Sequence, residues 1–166
     1  MVGAQLKIRA LIVLTIFVVS CAPKQATELP NQLLGLSVGM AKAAAEDRLK
    51  TIAVFERDER GRQQVWRLKD DPNFDDLAIG YSEEGKLRYV TMFAGNAKKP
   101  IRFTDVGDTS KARSEIGDPN NYRYIWDVSP ADSGPAYQVI LYGDQKDHLS
   151  IYTLVAKGST ETEDND

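Results

Sequence analysis

Thiols and imidazoles are nearly absent from this chain of 166 residues, which has one cysteine, Cys21, and one histidine, His148. A single thiol excludes an internal disulfide framework and any multi-thiolate metal site. A single imidazole likewise excludes metal sites built from two or more histidines. Positive charge is also in short supply, since 21 Lys and Arg stand against 24 Asp and Glu, for a net charge of −3. Lys7 and Arg9 fall within the first twenty residues, which hold no acid, so the rest of the chain carries 19 basic against 24 acidic side chains, or −5. A surface of that sign does not attract phosphate backbones or anionic headgroups, and nucleic acid is not an expected partner.

Long hydrophobic runs are missing too. The longest, Ala10 to Val19, is broken in polarity only by Thr15. It is too short for the roughly 20 residues a spanning helix needs, but it fits the roughly 7–15 of a signal-peptide core. Two positive charges precede it, and Ser20 and Cys21 follow. Val18-Val19-Ser20-Cys21 resembles the lipobox of bacterial lipoproteins. The resemblance implies cleavage between Ser20 and Cys21 and a lipid thioether on the Cys21 thiol. Each buried methylene contributes roughly 0.8 kcal/mol, so two or more chains hold a protein firmly at a bilayer. By the sorting rule of enteric bacteria, Ala22 in place of aspartate implies the outer membrane, facing the periplasm.

These features divide the chain into a signal peptide (1–20), a lipidated cysteine with a flexible tether (21–32), two α+β units (33–100 and 101–157) and an acidic tail (158–166). The tether holds Pro23, Lys24, Gln25, Glu28 and Pro30 and has little to bury. The tail, GSTETEDND, reads as a solvated end.

The first unit opens on a short apolar turn, Leu33, Leu34 and Leu36, followed by Gly39 and Met40. A helix is predicted over Ala41 to Lys50, with Met40, Ala44 and Leu49 facing inward. Strands are predicted at Ile52–Arg57, Gln63–Leu68, Leu77–Tyr81 and Lys86–Phe93, with turns at Glu59-Arg-Gly-Arg62 and Ser82-Glu-Glu-Gly85. The last strand alternates in a way that implies burial on much of both faces. In the second unit Asp108 is a good N-cap for a helix over Thr109 to Ile116, with Gly117 and Pro119 as its stop. Strands are predicted at Tyr122–Val128, Tyr137–Tyr142 and Leu149–Val155.

A faint internal echo links the units. Val65-Trp66 matches Ile125-Trp126, Leu77 to Tyr81 matches Val139 to Tyr142, and Gly85-Lys-Leu87 matches Asp147-His-Leu149. Gly39 and Gly107 are expected to open the two helices. The fold expected is α+β, two similar helix-plus-antiparallel-sheet units (α-β-β-β) packed together, with two sheets and the helices on one side.

Leu36, Gly39, Met40, Lys42, Leu49, Trp66, Gly85 and Lys86 follow the frame of the SmpA/OmlA family of small outer-membrane lipoproteins, which this chain resembles. More loosely, it resembles the fold shared with proteinaceous β-lactamase inhibitors. The family's Leu-Gly-x-Pro element is replaced by Leu49-Lys50-Thr51 in the first unit and matched by Ile116-Gly117-Asp118-Pro119 in the second. The resemblance implies an assembly factor of the outer membrane.

Other constellations have simpler readings. Gly35-Leu-Ser37-Val-Gly39 spells a nucleophile elbow, but a Leu-rich helical turn stands where the elbow needs a buried strand, and the chain is short for an α/β hydrolase; Ser37 reads as a cap or turn residue. Asp70, Asp71, Asp75 and Asp76 lack calcium-loop spacing, and Asp144, Asp147 and His148 read as a polar hairpin turn. No catalytic residue, metal or cofactor is therefore expected. Trp66 and Trp126 are read first as core anchors and second as contact residues. The charged hairpin with Arg57, Arg60 and Arg62 reads as a solubilised edge or a docking rim. The expected function is that of a membrane-anchored, non-enzymatic protein-binding or assembly module with an envelope protein as partner. The alternative is an inhibitor of a hydrolase.

Overall fold

Leu33 and Leu36 hydrogen-bond to each other in both directions (2.9 and 2.8 Å) around Leu34 and Gly35, both at positive φ. This tight loop buries the two outer leucines. It opens the body of the computed structural model, which describes residues 29–60, 62–95, 100–117, 121–130, 134–144 and 147–158. Leu29, at the end of the expected tether, already packs against the core, and Pro30 accepts a hydrogen bond from Tyr137 (3.4 Å).

Helix α1 spans Lys42–Ile52 and buries Ala45 and Leu49. These residues are four apart and so lie above one another on one face. Leu49 is buried as expected, whereas Ala44, expected inward, is exposed and Ala45 takes its place. The helix passes directly into β1 (Ala53–Glu59), and β2 (Gln63–Leu68), β3 (Asp76–Tyr81) and β4 (Leu87–Phe93) follow as antiparallel neighbours. The second half begins with a single helical turn, α2 (Phe103–Val106), which is too short to leave a sequence period. Asp108 does act as a cap, accepting from Ser110 N–H at 3.1 Å. The expected helix Thr109–Ile116 is instead one 3₁₀ turn, Thr109–Lys111, followed by strand β5 (Arg113–Ile116). Every residue of β5 is exposed, so a helix there would have had no stripe to bury, whereas a strand gains a ladder with β6 (Tyr122–Val128). Gly117 closes this hairpin rather than ending a helix, its N–H donating to Asn121 (3.2 Å). Gly107 ends α2 instead of opening a helix. Strands β7 (Tyr137–Gly143) and β8 (Leu149–Ala156) complete the chain.

One antiparallel sheet of eight strands results, in the order β1-β2-β3-β4-β8-β7-β6-β5 and not closed into a barrel. The two separate sheets expected are thus continuous, joined where β4 pairs with β8. About that seam the registers correspond. Ile79 pairs Val90 as Leu141 pairs Tyr152, and Leu77 pairs Met92 as Val139 pairs Leu154, each a shift of 62 positions. Even the bulges match, Tyr81↔Leu87 against Gly143↔Leu149. Val65↔Ala78 corresponds to Ile125↔Ile140, with a shift of 60 on β2 and 62 on β3. Turn residues Gly85 (φ 68) and Asp147 (φ 64) occupy the same left-handed position, open to glycine and tolerated by aspartate. Each turn is followed by an isolated bridge to the residue that opens a helix, Lys86 to Ala41 and His148 to Arg102.

Both helices cover one face. Beneath them Trp66, Leu77, Ile79, Val90 and Met92 from the first four strands meet Trp126, Val139, Leu141, Tyr152 and Leu154 from the last four. No described helix is long and apolar enough to cross a membrane.

Candidate binding face

Side chains alternate across a strand, so the residues between those core positions project to the opposite face. No described helix lies there. Cross-strand pairing sets them in rows. The central row reads Arg57, Val65, Ala78, Thr91, Thr153, Ile140, Ile125 and Arg113 across all eight strands. One flanking row carries Gln63, Gly80, Tyr89, Val155 and Gln138, and the other Arg123, Tyr142, Ile151 and Phe93. Within them lies a hollow of about 500 Å³ whose lining includes Tyr89, Thr91, Phe93, Tyr142 and Thr153, with Arg88 and Arg123 as its charged members.

The arginines are held by tyrosine faces. Arg88 Cζ lies 5.7 Å from the Tyr89 ring centre and Arg123 Cζ 5.2 Å from that of Tyr142. The Tyr89 hydroxyl donates to Gln63 Oε1 at 2.6 Å, and the Tyr89 ring lies over Gly80, where a Cβ would come within 2.2 Å of it. Arg123 also pairs with Glu115 at 2.7 Å. The Nε atoms of both arginines are buried without an acceptor among the described residues. Phe93 stays 38% exposed at the rim, high for a large apolar ring.

The matched registers separate two kinds of position. Towards the helices, equivalent residues stay apolar or aromatic, as in Trp66 with Trp126 and Leu77 with Val139. On the open face the central row also stays alike, as in Thr91 with Thr153 and Val65 with Ile125, and the flanking rows diverge: Gln63 matches Arg123, Gly80 matches Tyr142, and Tyr89 matches Ile151.

Of the sequence-derived residues, Arg57 ends the central row at the sheet edge, outside the hollow, and the others fall elsewhere. Trp66 (5% exposed) and Trp126 (4%) are buried under the helices, with Nε1 donating to Gln64 Oε1 (3.3 Å) and Asp108 O (3.2 Å). They are anchors and offer no surface to a partner. Phe55 packs edge-on against Trp66 at 5.2 Å. Arg57 pairs with Glu59 (2.7 Å) and Glu56 (3.5 Å), and Arg62 with Glu83 (3.0 Å), so the hairpin satisfies much of its own charge. Arg60 is exposed at the tip. Ser20 and Cys21 lie outside the described residues.

Asp71 accepts from the N–H groups of Asn73 and Phe74, both at 2.9 Å, so it shapes its own loop. Asp147 Oδ1 accepts from Phe103 N–H (3.1 Å) and Asp144 from His148 N–H (3.1 Å), which makes this cluster the brace between α2 and the β7–β8 turn. Among the described residues no group of three or more His, Cys, Asp or Glu could hold a metal ion. Sequence reasoning missed Arg88, Tyr89, Arg123 and Tyr142. The available signal was the alternation Tyr89, Thr91, Phe93, which carries aromatic and polar residues on the phase opposite Val90 and Met92. No family model, curated protein or solved structure matches this chain.

Proposed function

We propose that this protein is a lipid-anchored, non-enzymatic binding module of the bacterial envelope, and that it docks an envelope protein on the open face of its sheet. The observation that carries the reading is that face: a hollow with aromatic and arginine side chains, the residue types enriched where proteins meet. Its two halves read as two copies of one helix-and-sheet unit, the core kept alike and the flanking rows of the open face diversified. The lipobox-like Val18 to Cys21 supports the anchor, as does the resemblance to SmpA/OmlA lipoproteins.

The tether supports an orientation. Leu29 lies against Gly107 beside Trp126, on the helix-covered side. Residues 22–28 reach at most about 25 Å when extended. An anchor at Cys21 would hold that side towards the outer membrane and turn the open face to the periplasm. Glu56 and Glu59 of the β1–β2 hairpin are engaged with neighbouring arginines, which favours the binding module over an inhibitor working through acidic hairpin tips.

Two measurements test the reading. A clickable fatty acid should label the wild-type chain and not Cys21→Ala; equal labelling of the two removes the anchor at that thiol. Val155→Arg, which fills the open face, should keep the melting temperature while abolishing a partner co-isolated after cross-linking in cells. Recovery of that partner unchanged would reject the open face as its dock.

A further inference from the structure

We infer that the hollow on the open face recognises an acidic segment of its protein partner, with Arg88 and Arg123 as the carboxylate contacts. The inference rests on the docking role proposed above and adds the chemistry of the occupant. Charge complementarity carries it. The chain as a whole is acidic, yet the charged side chains lining the hollow are both arginines. Arg88 has no carboxylate partner among the described residues, and Glu115 engages only one Nη of Arg123. Each guanidinium lies close to a tyrosine ring, which limits the freedom lost on binding. Arg88, so held, can fork a carboxylate through its two Nη groups, and Arg123 can offer the Nη that Glu115 does not engage. Thr91 and Thr153 on the floor and Gln138 beside them add neutral polar groups for an extended backbone.

The competing occupant belongs to the chain itself. Gly158 lines the hollow, and Glu161, Glu163, Asp164 and Asp166 follow it in sequence.

The test uses the full chain in nonionic detergent and a fluorescent hexaglutamate peptide, with hexalysine as control. Hexaglutamate should bind, hexalysine should not, and Arg88→Gln with Arg123→Gln should weaken binding by about tenfold or more. Lys50→Gln, on the outside of α1 away from the hollow, should leave it unchanged. Equal binding by the double variant, or none by any form, overturns the proposal. Binding only once the chain is stopped after Gly158 also overturns it, because the tail is then the occupant. A photo-cross-linker at Thr91 in cells separates this inference from the docking role. Adducts that persist in the double variant reject the acidic chemistry alone, and adducts from neither form reject docking as well.

Discussion

Thr91 and Thr153 face each other across the β4–β8 seam, their Oγ1 atoms 3.0 Å apart. They are themselves 62 positions apart, the same shift that relates the pairs on either side. Tyr89↔Val155 corresponds to Ile151↔Phe93, and Val90↔Leu154 to Tyr152↔Met92, so the local pseudo-two-fold passes through the threonine pair. The seam alone joins the two runs of four strands, and its hydroxyls lie on the floor of the open face.

Because each hydroxyl is the other's partner, their contributions should couple. Thr91→Val and Thr153→Val should each cost about 1 kcal/mol, and the double variant should cost less than the sum by about 0.5–1 kcal/mol. Urea unfolding of the four proteins measures this, and strict additivity would mean that the hydroxyls are satisfied separately.

Gly80 and Gly143 should respond differently to a methyl group. A Cβ at Gly80 would meet the Tyr89 ring, while one at Gly143 would come within 2.0 Å of the His148 carbonyl oxygen. A side chain can be cut back and a backbone cannot. Gly80→Ala should destabilise by about 1–3 kcal/mol, and a Tyr89→Ala background should recover much of that loss. Gly143→Ala should be at least as costly and should not be helped by the same background. Equal recovery at both sites would contradict the packing described.

Tyr152 and Tyr81 set the alkaline limit. Burial pushes both phenols well above the ordinary tyrosine range of about 10, and for Tyr81 the Glu46 carboxylate adds to the effect. A raised folded-state pKa means stability that is whole below about pH 10 and is lost as the pH climbs beyond it. Both hydroxyls also lack a partner among the described residues. Tyr152→Phe should therefore stabilise the fold by about 1 kcal/mol near neutrality and flatten its decline above about pH 10. Thermal melts across that range decide it, and a destabilised variant with an unchanged alkaline limb would reject the assignment.

Much of the scaffold was legible because strands announce themselves by alternation. Gln63–Leu68 and Tyr122–Val128 run between the residues the pattern indicated, and the echo of Val65-Trp66 in Ile125-Trp126 is matched in the pairing. Arg113–Ile116 was misread because capping by Asp108 is local, whereas the choice between helix and edge strand depended on β6 being available as a neighbour. The β4–β8 seam leaves no mark in a linear pattern, since strand order is a tertiary property. The open face was hidden for a related reason. Partial burial in a hollow lined by one's own sheet gives Thr91 and Tyr89 the same sequence character as burial beneath a helix.

The most direct measurement is a map of photo-cross-linking in living cells, with the reactive residue placed in turn at Thr91, Gln138 and Val155 on the open face and at Ala44 and Lys50 on α1. The account predicts discrete protein adducts from the first three positions and none from the helix. Adducts from the helix alone would show that the partner sits on the covered side, and would contradict the account.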